Sequence, residues 1–275
     1  MAEAAEKETV MGLAYERTGS GPPLMLLHGV GHRRQAWSAV VDRLAPHREL
    51  ILVDLPGHGE SPPLVTAGRQ PVPVLLEAVL GLEDELGFER PHLAGNSLGG
   101  RLALEAGALG RAASVTALSP AGFFRSRGDM LYARSVFQLM QAAGRVLEPV
   151  APALLRTTAG RGLVYSAVVS HPSRLTPEQA KGDMAAFLAA SDALDVVLAG
   201  IGQFSGQIPA DVPVTIAWGA HDRLLSRRQA LVAKSRLPRA QFVPLTGCGH
   251  VPMTDDPELV ADVLLRGSDA TQAAG

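Results

Sequence analysis

Leu24-Met25-Leu26-Leu27 and Leu50-Ile51-Leu52-Val53 are short runs that are apolar at every position. Such a run cannot turn one face to water, so it reads as a strand buried on both sides. Each stops abruptly, the first at His28-Gly29 and the second at Asp54-Leu55-Pro56-Gly57-His58-Gly59-Glu60-Ser61. His92-Leu93-Ala94, Ser114 to Leu118, Val214 to Trp218 and Ala240 to Leu245 continue the series. Between these runs lie stretches with helical spacing, from about Arg34 to Leu44, Val74 to Leu86 and Leu224 to Leu237, with a closing helix from about Pro257 to Leu265. Thr9 to Arg17 alternates loosely and suits one or two early antiparallel strands. Strands alternating with helices predict a mostly parallel sheet covered on both faces. On such a sheet, sites assemble beyond the carboxyl ends of the strands.

One junction has unusual demands. Leu93-Ala94-Gly95-Asn96-Ser97-Leu98-Gly99-Gly100 joins an apolar run to a helix-compatible segment through Gly-x-Ser-x-Gly. A strand turning sharply into a helix brings the residues two before and two after the apex into near contact, so Gly95 and Gly99 must lack side chains. Ser97 then sits at the apex in a strained conformation with its hydroxyl exposed. A helix cap is the ordinary alternative for a serine at this place.

Acyl transfer by a serine needs a base, an acid to orient it and donors for the oxyanion. His250 follows the last strand in Gly247-Cys248-Gly249-His250, and Asp222 lies just past the strand ending at Trp218-Gly219. Taken singly, His250 could be a turn histidine and Asp222 an Asx-turn or N-cap residue. The order Ser97, Asp222, His250 is the one this architecture requires. His28-Gly29-Val30-Gly31 supplies a loop whose glycines can direct an N–H inward, so the N–H groups of Val30 and Leu98 are the candidate oxyanion donors. The His28 side chain is expected to brace that loop.

Together, His28-Gly29, Asp54 to Ser61, Gly95 to Gly100, Gly219-Ala220-His221-Asp222 and Gly249-His250 resemble the α/β-hydrolase superfamily, in its serine-nucleophile branch with a helical cap, similar to carboxylesterases and lipases. The likeness covers nearly the whole chain. It implies a mostly parallel twisted sheet of about eight strands with helices on both faces, a helical cap inserted after the sixth strand, and Ser97, Asp222 and His250 as catalytic triad. It also gives His58 a scaffolding role.

The cap is expected in residues 121–209, where strand-like runs vanish and helical stretches carry Phe123, Phe124, Phe137, Met140 and Phe187. The α/β-hydrolase core is then 9–120 and 210–266, with flexible termini at 1–8 and 267–275. Most cap apolar residues should pack against the core. Phe123, Phe124 and Val251 are the candidate substrate contacts.

A net charge of −2 gives no field to gather nucleic acid or anionic membrane. The acidic start is unlike a secretory signal, and no apolar run is long enough to span a bilayer. Cys248 is the only cysteine, which rules out an internal disulfide. A cytoplasmic protein with a small-molecule substrate, no nucleic-acid partner and no stable membrane insertion is expected. No cofactor or metal is expected, since neither a phosphate-loop nor a dinucleotide fingerprint is present and the two glycines within His28-Gly-Val-Gly-His32 favour a loop over a zinc-binding helix. Asp255-Asp256 and Glu83-Asp84-Glu85 read as solvated charges, and Cys248 as a small buried side chain.

The leading expectation is hydrolysis of a small-to-medium, largely apolar carboxylic ester through an acyl-enzyme on Ser97. A carbon–carbon bond hydrolase of ring-cleavage products is the runner-up, with Arg125, Arg127, Arg134 and Arg145 as partners for a charged dienoate, although Val251 stands where such relatives often carry tryptophan. A cofactor-free perhydrolase would use the same triad. Dehalogenase and epoxide-hydrolase relatives place aspartate where Ser97 stands. A non-catalytic ligand receptor on the same fold is the alternative of another class.

Overall fold

The structure is a computed structural model that describes residues 6–10 and 12–269, the first of these segments by its backbone alone. The elements follow one another as β1 (Glu6–Val10), β2 (Leu13–Gly19), β3 (Pro23–Leu27), α1 (Ser38–Leu44), β4 (Glu49–Val53), α2 (Pro71–Glu85), β5 (His92–Asn96), α3 (Leu98–Ala108) and β6 (Ser114–Leu118). Five helices come next: α4 (Arg127–Leu147), α5 (Ala151–Leu154), α6 (Thr158–Tyr165), α7 (Pro177–Ala189) and α8 (Ser191–Gly200). The chain closes with β7 (Val214–Gly219), α9 (Arg227–Arg236), β8 (Gln241–Leu245), α10 (Pro252–Asp255) and α11 (Pro257–Asp269).

The strands form one 8-stranded sheet in the order β1-β2-β4-β3-β5-β6-β7-β8. Only the pairings of β1 with β2 and β2 with β4 are antiparallel; from β4 onward every pair is parallel. Parallel strands need crossovers, and these put α1 against α11 on one side and α2 against α3 on the other, with α3 and α11 both lying on β6. The continuous apolar runs are explained by this double cover: Leu24 to Leu27 and Leu50 to Val53 are all buried. The order of the strands brings the carboxyl ends of β3, β5, β6 and β7 side by side, and the loops there carry the candidate site.

Two termini differ from expectation. Glu6 to Val10 pairs with Leu13–Arg17 as an edge strand, where residues 1–8 were expected to be flexible. The last helix continues to Asp269, where a tail from Gly267 was expected, because Ser268 is buried and its hydroxyl accepts from Arg48 Nε at 2.9 Å. The remainder of both expected termini, residues 1–5 and 270–275, lies outside the described residues.

Two charge clusters also differ. Glu83 is wholly buried against the core, and Asp255 is buried with three backbone N–H groups bonded to it, those of Gly249, Ser170 and His171. Asp255 therefore ties the His250 loop to the segment between α6 and α7. Val251 N–H donating to Val168 O at 3.0 Å reinforces the same seam.

At the other end of the helical insertion, Arg101 of α3 secures the chain as it returns to the sheet. Its guanidinium donates to the carbonyls of Ile201, Gly202 and Gln203, and it lies 5.5 Å from the Phe204 ring centroid. Helix α4 buries only Ala133, Phe137 and Gln141 on its long axis, a spacing of one contact per turn. Leu139 stays 70% exposed, so part of this helix's apolar surface faces away from the core.

Candidate active site

Ser97 occupies the turn between β5 and α3 with φ 56° and ψ −111°. That conformation is strained for a residue with a side chain, and it persists because neighbours fix it: Ser97 N–H donates to Leu118 O at 2.9 Å, and Ser97 O accepts from Arg101 and Ala121, each at 3.0 Å. The flanking glycines are steric necessities. A β-carbon on Gly95 would overlap the main chain of Gly99, and one on Gly99 would overlap the Leu27 carbonyl. The hydroxyl of Ser97 makes no hydrogen bond with the described residues.

His250 donates Nδ1–H to Asp222 Oδ2 at 2.8 Å, since a carboxylate can only accept. That interaction fixes the tautomer and leaves Nε2 as a bare acceptor. The other carboxylate oxygen of Asp222 accepts from the N–H groups of Leu224 at 2.9 Å and Leu225 at 2.8 Å. One oxygen thus makes the turn bonds raised as an alternative by the sequence, and the other faces the imidazole. Asn96 adds a link that sequence reasoning missed: its Nδ2 donates to His250 O at 2.9 Å and to Leu118 O at 3.1 Å.

Ser97 and His250 share the wall of a cavity of about 310 Å³. Gly29, Val30 and Gly31 line it beside them, and a β-carbon on Gly29 would touch Ser97 Cβ at 3.3 Å, so this loop lies directly against the serine. Leu98 opens α3, where its N–H belongs to the first turn and has no intrahelical acceptor. His28 braces the loop: it accepts from Leu55 N–H at Nε2 (3.0 Å) and donates from Nδ1 to Gly29 O (2.8 Å). Burial, with His58 beside it, holds the His28 imidazole well below its usual range, so it stays neutral.

The rest of the cavity is made by the insertion, with Phe137, Met140, Leu147, Leu163, Val164 and Phe187 on its wall. Val251 lines it as expected; Phe123 and Phe124 do not. Both phenylalanines are buried, and Phe123 packs on Phe204 at 5.7 Å between centroids, because the chain leaving β6 runs inward before α4 begins. None of Arg125, Arg127, Arg134 and Arg145 lines the cavity. Its polar residues away from the serine are His32, Asp183, Tyr165 and Ser166. His32 directly follows the glycine loop, a position the sequence marks, whereas nothing local distinguishes Asp183 from Glu178, the other acid of α7.

Cys248 is buried and burial pushes its thiol up to about 12, so it stays protonated and lies off the cavity wall. Among the described residues, no group of three His, Cys, Asp or Glu side chains is placed to hold a metal ion, and no helix is long and apolar enough to cross a membrane.

A serine held in a sharp turn at the carboxyl end of a central parallel strand, beside a helical insertion, defines a class, and comparison with known proteins agrees. The chain belongs to the alpha/beta hydrolase family, whose model matches residues 24–263. It is 28% identical to a pimeloyl-(acyl-carrier protein) methyl ester esterase of Aeromonas hydrophila, over 92% of this chain and 98% of that one. It is also 28% identical to a 2-hydroxy-6-oxononadienedioate/2-hydroxy-6-oxononatrienedioate hydrolase of Paraburkholderia phymatum, over 94% of this chain and 92% of that one. The crystal structure of the carboxylesterase CesB from Bacillus subtilis shares the fold, with a TM-score of 0.68, 21% identity, and coverage of 96% of this chain and 92% of that one.

Proposed function

We propose that this hydrolase cleaves carboxylic esters of small-to-medium, largely apolar substrates through an acyl-enzyme on Ser97. One observation carries the reading: Ser97 and a His250 oriented by Asp222 at 2.8 Å open onto a cavity whose walls are mostly apolar.

Ser97 Oγ attacks the ester carbonyl while His250 Nε2 takes the hydroxyl proton. Asp222 keeps the imidazole in the tautomer that can accept and stabilises the imidazolium that results. The N–H groups of Val30 and Leu98 receive the oxyanion, where losing one donor typically lowers kcat about 100- to 1,000-fold. Collapse of the tetrahedral intermediate expels the alcohol, which takes its proton from His250. Water, deprotonated by the same imidazole, then attacks the acyl carbon; the acid leaves and Ser97 recovers its proton.

The two relatives named for ester and for carbon–carbon cleavage leave both chemistries open to the family. The cavity favours the ester. A dienoate substrate brings a carboxylate that calls for a cation, yet no arginine lines this cavity and Asp183 does. Perhydrolysis would use the same acyl-enzyme, and a receptor would hold a ligand here without turning it over.

Kinetics on p-nitrophenyl esters of graded acyl length test the reading. Turnover is expected to peak at an intermediate length and to vanish in Ser97→Ala. A folded protein inert towards every ester would overturn it.

A further inference from the structure

His32 and Asp183 face the cavity from opposite sides of the molecule's division, one from the loop after β3 and the other from α7. Neither side chain has a hydrogen bond or ion pair with any described residue. Both side chains are half-buried and open onto the cavity, so each has hydrogen-bonding capacity left to offer a ligand there. The backbone beside each is closely packed: a β-carbon on Gly31 would meet Phe187 Cδ2 at 2.5 Å, and one on Gly182 would overlap the Arg33 guanidinium. Arg33 therefore lies over the helix turn that carries Asp183.

The chemistry of the missing partner follows from these three residues. Asp183 can accept and repels a carboxylate. The Arg33 guanidinium, packed against Gly182 in the same helix turn, opposes an ammonium in the same place. The His32 imidazole is kept neutral by burial, so it offers one donor and one acceptor. A hydroxyl meets all three conditions: it is uncharged, donates to the carboxylate and accepts from the imidazole N–H.

We propose that Asp183 and His32 form a specificity-determining pair that binds a hydroxyl group carried by the substrate near its reacting ester. This rests on the ester-hydrolase reading of the same cavity. The substrate class becomes hydroxylated esters with an otherwise apolar body, and the pair selects among esters by position of the hydroxyl. His32 and His250 line the same cavity, so the bound hydroxyl shares the space onto which Ser97 opens.

The test uses two panels of esters with the hydroxyl at successive chain positions, one on the acyl side and one on the alcohol side. Each hydroxylated ester is compared with its O-methyl counterpart and with an ammonium-bearing analogue. Wild-type protein should prefer the hydroxyl over the methoxy group by about 10-fold or more in kcat/KM at one position, the scale expected of a hydrogen bond to a charged group. That ratio should fall to about twofold or less in Asp183→Ala and drop in His32→Leu, while Asp183→Asn, which keeps an acceptor of the same shape, retains part of it. No preference at any position, a stronger preference for ammonium, or a ratio unchanged in both Asp183→Ala and His32→Leu would overturn the proposal. Turnover of the unsubstituted esters reports separately on the hydrolase reading; its absence would remove that reading and this one with it.

Discussion

The side-chain amide of Asn96 donates to the main-chain carbonyl of His250 at 2.9 Å, so the residue before the candidate nucleophile holds the candidate base. Strand end and histidine loop are thereby locked in one register. Asn96→Ala removes the side-chain donor to the His250 carbonyl in a buried place, while the Leu118 carbonyl keeps the Ser97 N–H. It is expected to lower kcat roughly 10- to 100-fold through misplacement of the imidazole, with a smaller change in KM. Steady-state kinetics beside a thermal melt separate this from simple unfolding. A variant with wild-type kcat would show that the link does not position His250.

Asp222 splits its two oxygens between His250 and the backbone of Leu224 and Leu225. Asp222→Asn can keep the backbone bonds but presents an amide donor to Nδ1, which favours the wrong tautomer. A loss of about 10,000-fold in kcat is expected, with melting temperature little changed, by analogy with serine hydrolases in general. If Asp222 serves only as a turn residue, the same variant will keep its activity.

Gly31 has φ +78°, and a β-carbon there would meet Phe187 Cδ2 at 2.5 Å. Gly31→Ala should therefore push the loop carrying the candidate oxyanion donor away from α7 and reduce kcat/KM about 10- to 100-fold. Phe187→Ala in the same chain removes the clash while the backbone strain remains, so the double variant should recover part of the loss. No recovery would mean that strain alone is responsible.

Burial pushes the Glu83 carboxyl up to about 8, with Arg111 opposing the shift. A carboxyl whose folded value exceeds its unfolded one binds protons preferentially in the native state, so its contribution is full below about 4.5 and is lost as pH rises towards about 8. Glu83→Gln should thus gain stability relative to wild type as pH rises through this window, by a few degrees of melting temperature at its alkaline end. His58 and His92, both pushed down to about 4 by burial, destabilise the fold in the opposite direction as pH falls, but equally in both proteins. A wild-type-minus-variant difference that is flat with pH would contradict the buried-carboxylate account.

Much of this was readable in the sequence because the relevant signals are local. Leu24 to Leu27 and Leu50 to Val53 could be only doubly covered strands, and the spacing of Gly95 and Gly99 dictates a turn that excludes β-carbons. Asp222 and His250 stood out because each follows a strand in a short loop. Residues whose meaning depends on tertiary neighbours were not legible. Phe123 and Phe124 looked like cavity aromatics, but the path of the chain beyond β6 turns them into the core. Asp255 and Glu83 looked solvated because their partners are distant in sequence: the backbone of Ser170 and His171 for one, a covering helix layer for the other. Asp183 became visible only once α7 was seen against the loop that carries His32.

The claim that Ser97 is the nucleophile is tested most directly by intact and peptide mass spectrometry after treatment with a fluorophosphonate. The account predicts one adduct per chain, located on the peptide containing Ser97, and none in Ser97→Ala. A folded wild-type protein that takes up no label, or a Ser97→Ala variant that labels equally well, would contradict it.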